Sequence, residues 1–573
     1  MLDFKCTTDE KGQAYIETSL QGKLLLTIPQ LNKGTAFTLE ERKAFNLIGK
    51  LPIQVESLEE QTKRAYRQYG AFVTQLKKNI YLNNLHDTNH VLFYKLVSEY
   101  LSEMLPTIYT PIVGTAVKHY SQEFRKPRGL YITYSDRDNI DEILSNRSNP
   151  EVGLIVATDG EGVLGIGDQG IGGMDIPIAK LMVYTLCGGI DPNRTLPILL
   201  DVGTNNQELL DDPLYLGARH ERIAGKNYDD FIHQFVSAVE KRFPHIFLHW
   251  EDFGRHNARR ILNRFQDKLC TFNDDIQGTG TVTLSALLAA TSASHSTLED
   301  QRIVVFGGGS AGTGISDQIY DAMVKSGLSE QEAKKRFWII DKQGLLIAGD
   351  PHLTPAQALY ARDPQELTQW ACADKTNISL LDTITHVKPT TLVGCSAVPG
   401  AFTQEVIETM AQHVKQPIIF PLSNPTDRCE AIPEDILNWT HGEALIATGT
   451  AFTDVEYNGR MIPIAQCNNA LVFPGIGLGV QAVGATRLTS HMIWQACQAL
   501  SQCAPAIKDP HAQLLPPLSQ AQDVAKKIAV AVGQQAIKEG LAVKNQDKDL
   551  NKIIEEMFWH PHYLPYLKRS PSE

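Results

Sequence analysis

The sequence predicts a multidomain α/β protein with a helical leading region, and three observations carry that prediction. Short apolar runs alternate with helix-length sequence in two separate stretches, from about Gly129 and again from about Gly278. A Gly-x-Gly-x-x-Gly turn directly follows one of these runs and opens a helix. At 573 residues the chain exceeds one compact core, and ~150 residues per domain gives roughly three or four units.

Taken in order, residues from about Leu39 to Leu105 read as helical. Ser57 stands three residues before Glu60, a capping box ahead of an amphipathic run. A second helical pattern runs from His90 to Tyr100 and is expected to stop near Pro106. From Gly129 the apolar runs are Leu130-Tyr-Ile-Thr, Gly153-Leu-Ile-Val-Ala, Leu196-Pro-Ile-Leu-Leu and His245-Ile-Phe-Leu-His-Trp, read as strands of a largely parallel sheet. The second α/β stretch supplies Arg302-Ile-Val-Val-Phe, Phe337-Trp-Ile-Ile, Thr391-Leu-Val-Gly and Pro417-Ile-Ile-Phe. Gly484 to about Asp549 is Ala- and Gln-rich with helical periodicity, and the last few residues read as a loose tail.

Composition narrows the function. A net charge of −12 offers no broad basic field, which argues against nucleic-acid or acidic-membrane partners. Met1-Leu-Asp-Phe-Lys-Cys-Thr lacks a basic segment followed by an apolar stretch, so no signal peptide is expected. No uninterrupted apolar run reaches the ~18 residues of a membrane span. Nine cysteines without a Cys-x-x-Cys pair fit reduced thiols in a cytoplasmic protein.

Two segments match Gly-x-Gly-x-x-Gly. Gly165-Ile-Gly-Asp-Gln-Gly170 follows Thr158-Asp-Gly-Glu-Gly, a tight turn between two expected strands, and runs on into more glycine and Pro177; it reads as a loop. Gly307-Gly-Gly-Ser-Ala-Gly312 follows the strand ending at Phe306 and opens a helix. Gly307, Gly309, Ser310, Ala311 and Gly312 are therefore the candidate pyrophosphate cradle at a helix N-terminus. Asp341 ends the next strand, and its carboxylate suits the adenosine ribose hydroxyls and repels a 2′-phosphate, favouring NAD over NADP.

Acidic pairs end two further apolar runs: Glu251-Asp252 and Asp274-Asp275. Neighbours in a strand face opposite ways, so Glu251 and Asp252 share an ion only if the chain turns there, which Gly254 permits. Oxygen-only ligands suit Mg²⁺ or Mn²⁺, while spacing alone leaves solvated acidic loops open. Tyr109 sits in a Pro-bounded loop. Lys180 follows Asp175-Ile-Pro177, read as an N-cap with proline in the first turn. A desolvated lysine near the positive end of a helix dipole works as a base, although each of these two residues alone fits an ordinary packed or surface position.

Together these segments resemble the malic enzyme family over nearly the whole chain. The matching stretches are Leu31-Asn-Lys-Gly-Thr-Ala-Phe37, Ile108-Tyr-Thr-Pro, Gly165-Ile-Gly-Asp-Gln-Gly, Trp250-Glu-Asp-Phe, Phe272-Asn-Asp-Asp-Ile-Gln-Gly-Thr, Pro421-Leu-Ser-Asn-Pro-Thr and Gln466-Cys-Asn-Asn-Ala-Leu-Val-Phe-Pro-Gly475. The resemblance implies NAD and Mn²⁺ or Mg²⁺ as cofactors and L-malate as substrate. Glu251, Asp252 and Asp275 then correspond to metal ligands, Lys180 to the general base, Tyr109 to the general acid and Asp274 to the acid supporting the base. Asn424, Asn468 and Asn469 correspond to substrate-binding residues, with Asn424 also on the nicotinamide side. The implied organisation is a helical region (1–128), a substrate- and metal-binding α/β domain (129–277, continued by 468–548), a Rossmann-type NAD-binding domain (278–467) and a C-terminal tail (549–573). A homodimer or homotetramer is implied by resemblance alone.

Two positions depart from the family pattern. Gly162 stands where an arginine usually grips the substrate carboxylate, leaving Arg125, Lys126 or Arg128 as replacement cations. Asp175 replaces a glycine of Gly-Met-Gly-Ile-Pro. Both changes resemble the malolactic branch, as do Lys180-Leu-Met-Val-Tyr-Thr and Asp454-Val-Glu-Tyr-Asn-Gly. Tyr109-Thr-Pro, Gln169-Gly-Ile-Gly-Gly and Phe558-Trp resemble the NAD-linked bacterial malic enzymes. The expected reaction is oxidation and decarboxylation of L-malate to pyruvate, with malolactic conversion to L-lactate, or both activities, as the alternative.

Overall fold

The computed structural model describes residues 4–148, 151–163, 165–372 and 374–569. The first three residues of the segment read for a signal peptide, and the last four of the expected tail, lie outside them. The chain forms two compact units, one of residues 1–248 with 556–573 and one of residues 249–555. These divisions fall at other places than the four expected from sequence.

In the first unit the leading helices are present. Helix Leu58–Gly70 begins with the expected reciprocal capping box between Ser57 and Glu60. The region is not purely helical, however: strands Phe4–Thr8 and Ala14–Thr18 pair antiparallel, and Tyr566–Lys568 adds to the second in parallel. The expected tail is thus a helix, Leu550–Met557, within which the chain passes from the second unit back to the first, followed by a sheet strand in the first. Tyr566 anchors that strand in an apolar cluster with Leu25, Leu31, Phe37 and Phe45, and its hydroxyl donates to the Leu31 carbonyl at 2.7 Å.

The expected stop near Pro106 falls earlier. The chain breaks at Tyr100 (φ −119, ψ 38), and a short helix, Leu101–Ile108, runs through Pro106 to end at Tyr109. Strands Leu130–Thr133, Thr195–Asp201 and Leu154–Thr158 then pair in parallel in that spatial order. Among the described residues no second strand follows the turn after Thr158; an isolated bridge joins Val163 to Gly167, and a 3-10 turn, Gly170–Met174, leads into helix Asp175–Gly188. Asp175 is therefore inside the helix and not its cap. Strand Phe247–Trp250 carries the chain into the second unit.

The second unit is built on a seven-stranded sheet, in spatial order Gly344–Leu345, Phe337–Asp341, Ile303–Phe306, Thr391–Gly394, Ile418–Pro421, Leu445–Thr448, Ala465–Gln466. All its pairings are parallel except the Gly344–Leu345 edge. The strands are continuous β-branched and leucine runs because helices cover both faces. From Ile303–Phe306 the chain first adds a strand on one side and then on the other, which places a topological switch point beside Phe306 and Gly394.

Candidate active site

Lys180 lies in helix Asp175–Gly188 and is 1% exposed. Its Nζ donates to the Tyr109 hydroxyl at 2.7 Å and sits 5.0 Å from the tyrosine ring centroid. The two residues that sequence offered separately are therefore one buried pair, and the desolvation required of the lysine is present. Tyr109 is positioned as the residue that ends helix Leu101–Ile108, its amide donating to the Leu105 carbonyl.

The cations named as substitutes at Gly162 are engaged elsewhere. Arg128 donates to Asp87 at 2.8 Å and to both oxygens of Asn83, Lys126 to the Asp87 carbonyl, and Arg125 to Glu123. They line a cavity of about 90 Å³ that also receives Asp175. Burial pushes the Asp175 carboxyl up to about 6. The cation beside the Asp159–Gly162 turn is Arg222. It makes a two-pronged contact with Asp168 at 2.6 and 2.8 Å and donates to the Asp159 carbonyl, while Tyr228 donates to the buried Asp159 carboxylate. A Cβ at Gly160 would lie 2.4 Å from the Gly170 carbonyl, and one at Gly173 would lie 2.7 Å from Gly160 Cα. This network ties the turn to the segment that starts the Lys180 helix.

In the second unit, one carboxylate oxygen from each of Glu251, Asp252 and Asp275 lies within 4.8 Å of the others. The chain does turn after Glu251, but Asp252 itself makes the turn, at φ 54, while Gly254 keeps a negative φ of −51. Aspartate tolerates the left-handed region better than most side chains. Asp275 supports the turn by accepting the Asp252 amide at 2.9 Å. A compact all-oxygen set, with Glu251 and Asp252 buried and Asp275 half-buried, fits a hard divalent cation. His249, fully buried and missed by sequence reading, contacts Glu251 through Nε2 at 2.6 Å, the kind of outer contact that orients a ligand carboxylate. Asp274 joins His249 and Glu251 in an overlapping cluster. It is packed against Gly278, where a Cβ would lie 1.8 Å from Asp274 Oδ1, and it accepts from Asn469 Nδ2 at 2.9 Å. Asn469 thus holds Asp274, whereas Asn468 caps a 3-10 turn through the Ala470 amide.

The glycine turn has the shape its sequence implied. Helix Ser310–Lys325 starts directly after Gly309, and a Cβ at Gly309 would meet nothing within 4 Å, leaving the helix N-terminus open to an anion. A Cβ at Gly312 would strike the Gly307 carbonyl at 1.9 Å, so close packing requires glycine there. Ala311 lies in the first helical turn. Asp341 ends its strand against this turn, with its Oδ2 3.2 Å from where a Gly308 Cβ would be. Gln357, a second residue missed from sequence, bridges them by donating to Asp341 at 2.8 Å and to the Gly308 carbonyl at 3.1 Å. Asn424 is exposed just beyond the carboxyl end of strand Ile418–Pro421.

A parallel sheet with an open glycine cradle at its switch point, in a unit that also carries a clustered carboxylate triad, defines the class as dinucleotide-binding α/β proteins with a metal-competent acidic site. Residues 86–266 match the family described as "Malic enzyme, N-terminal domain" and residues 276–537 that described as "Malic enzyme, NAD binding domain". The chain belongs to the malic enzyme family. It is 48% identical over 565 residues to the NAD-dependent malic enzyme of Acinetobacter baylyi, covering 99% of each chain. It is 50% identical over 558 residues to that of Vibrio parahaemolyticus, covering 97% of this chain and 99% of the relative. The fold is shared with the Entamoeba histolytica malic enzyme (TM-score 0.55, 22% identity, 90% of each chain). It is shared too with the Pyrococcus horikoshii malic enzyme (TM-score 0.54, 22% identity, 80% of this chain and 88% of that one).

Proposed function

We propose that this protein catalyses the NAD- and divalent-metal-dependent oxidative decarboxylation of L-malate to pyruvate, CO2 and NADH. The observation that carries the reading is the buried 2.7 Å contact between Lys180 and Tyr109, a base and an acid in one hydrogen bond. It is supported by relatives named NAD-dependent malic enzyme at about half identity over nearly their whole length.

In this reading Glu251, Asp252 and Asp275 hold Mn²⁺ or Mg²⁺. Gly307, Gly309, Ser310, Ala311, Gly312 and Asp341 hold NAD. When bound, the cation supplies Lewis acidity and the dinucleotide a hydride acceptor. Lys180 takes the proton of the malate C2 hydroxyl as C2 is oxidised, and its burial keeps water from competing for that proton. After CO2 leaves, Tyr109 delivers a proton to C3, and its contact with Lys180 gives it a route to be reprotonated. Asn424, Asn468 and Asn469 orient the substrate, with Asn424 also facing the nicotinamide and Asn469 fixing Asp274. His249 keeps Glu251 oriented. The proposal extends to a cytoplasmic homodimer or homotetramer; no helix among the described residues is long and apolar enough to cross a membrane.

The test is product analysis with purified protein, L-malate, NAD and Mn²⁺, following NADH, pyruvate and L-lactate together. NADH and pyruvate in equal amounts is the expected result. L-Lactate without net NADH would replace this reading with the malolactic one.

A further inference from the structure

Glu430 is fully buried, yet it lies in the loop before helix Pro433–Trp439 and belongs to none of the groups assigned above. Its carboxylate accepts from two different loops. From one come the Ser396 amide at 2.8 Å and the Ser396 hydroxyl at 2.9 Å; from the other come the Ser423 hydroxyl at 2.5 Å and the Ser423 amide at 3.3 Å. The Ser423 hydroxyl in turn accepts the Ala397 amide at 2.8 Å, and Ala397 is held at φ 54, a conformation alanine rarely adopts unaided. The side chain fits because residue 394 is glycine: a Cβ there would lie 2.6 Å from Glu430 Cδ.

These loops leave the carboxyl ends of adjacent parallel strands, Thr391–Gly394 and Ile418–Pro421. The first underlies the glycine cradle, since a Cβ on Gly307 would lie 2.5 Å from the Cys395 carbonyl and 2.7 Å from the Ser396 nitrogen. The second continues from Ser423 directly into Asn424. One carboxylate therefore sets the spacing of the cradle floor and of the Asn424 loop, on the edge where open α/β sheets bind nucleotides.

We propose that Glu430 is a positioning residue for the dinucleotide, clamping the Ser396 and Ser423 loops in the arrangement NAD requires. This rests on the functional reading above. Every contact the buried carboxylate makes is with a donor, so Glu430→Gln sets an amide NH2 against N–H and O–H groups. Leaving buried donors unmatched predicts a Kd for NAD raised about tenfold or more.

The experiment is fluorescence titration of the wild-type enzyme and of Glu430→Gln with NADH and NAD, paired with steady-state KM for each substrate and half-saturation by Mn²⁺. The expected result is weaker dinucleotide binding and a raised KM for NAD, with a smaller rise in KM for malate because Asn424 alone of the proposed substrate residues lies on a clamped loop. Half-saturation by Mn²⁺ stays within about twofold, a split that general loosening of the fold would not produce. Ser396→Ala and Ser423→Ala, which each remove one hydroxyl donor, are expected to fall between, and they decide the matter if Glu430→Gln does not fold. Wild-type binding of NAD together with variants that bind within about twofold overturns the clamp alone; failure of the wild-type protein to bind NAD overturns the functional reading as well.

Discussion

Replacing Asp175 by asparagine should make stability less dependent on pH. The carboxyl lies at the start of the Lys180 helix, in the cavity lined by Arg128, Asp87, Lys126, Arg125, His119, Glu123, Tyr120 and Tyr131. Burial raises it to about 6, opposed by Arg128 and aided by Asp87, against an unfolded value of ~3.9. The folded state therefore binds this proton more tightly than the unfolded chain. Its stabilising effect is complete below pH ~4, declines as pH rises toward about 6, and is absent above that. Two pH units correspond to about 3 kcal/mol at the upper limit. Asp175→Asn removes the dependence, so the variant should gain in Tm relative to wild type between pH 5 and 7, then hold that difference to pH 8. Differential scanning calorimetry across this range reads it directly. Asp159, also raised to about 6 by burial, is common to both proteins and cancels in the difference. A Tm difference that is flat from pH 5 to 8, or that shrinks as pH rises, refutes the reasoning.

Two further variants probe the cofactor sites. Gly312→Ala forces a Cβ to within 1.9 Å of the Gly307 carbonyl, and Gly307 cannot retreat because the Cys395 carbonyl lies behind it. An overpacking cost of about 1–3 kcal/mol predicts NAD affinity lowered about ten- to hundredfold, measurable by NADH fluorescence. Asp275→Asn keeps an oxygen for the Asp252 amide but removes a ligand charge, so the Mn²⁺ concentration for half-maximal activity should rise by at least about tenfold. Unchanged metal dependence would remove Asp275 from the ligand set.

The strands were legible because each is a short apolar run followed by a turn, and the glycine turn that opens helix Ser310–Lys325 because Gly307–Gly312 follows one of them directly. The Tyr566–Lys568 strand was not, since Leu567 and Lys568 are exposed and its partner lies at the opposite end of the chain. Asp175 read as a cap because an acid precedes Pro177, but the glycine-rich 3-10 turn extends the helical path upstream and leaves no cap for it to fill. The turn that brings Glu251 and Asp252 together was assigned to Gly254, the residue with the greatest backbone freedom, whereas hydrogen bonding from the Asp252 amide to Asp275 stabilises the less favoured conformation at Asp252 itself. Gln357 and Glu430 carry no local signature, each acting through partners on other loops, and His249 gives none because its partner Glu251, two residues on, reads in sequence only as a strand-end acid. Tyr109 and Lys180 were individually ambiguous and gained meaning from the family resemblance, with which their direct contact agrees.

The most direct test of the central claim, that Lys180 is the base for malate oxidation, is the rate of NADH and pyruvate formation by Lys180→Ala under saturating L-malate, NAD and Mn²⁺. The account predicts a loss of about 10²- to 10⁴-fold with NAD affinity retained, because Lys180 is assigned no contact with the dinucleotide. A variant that turns over within about tenfold of wild type would contradict that role and the proton path through Tyr109 that depends on it.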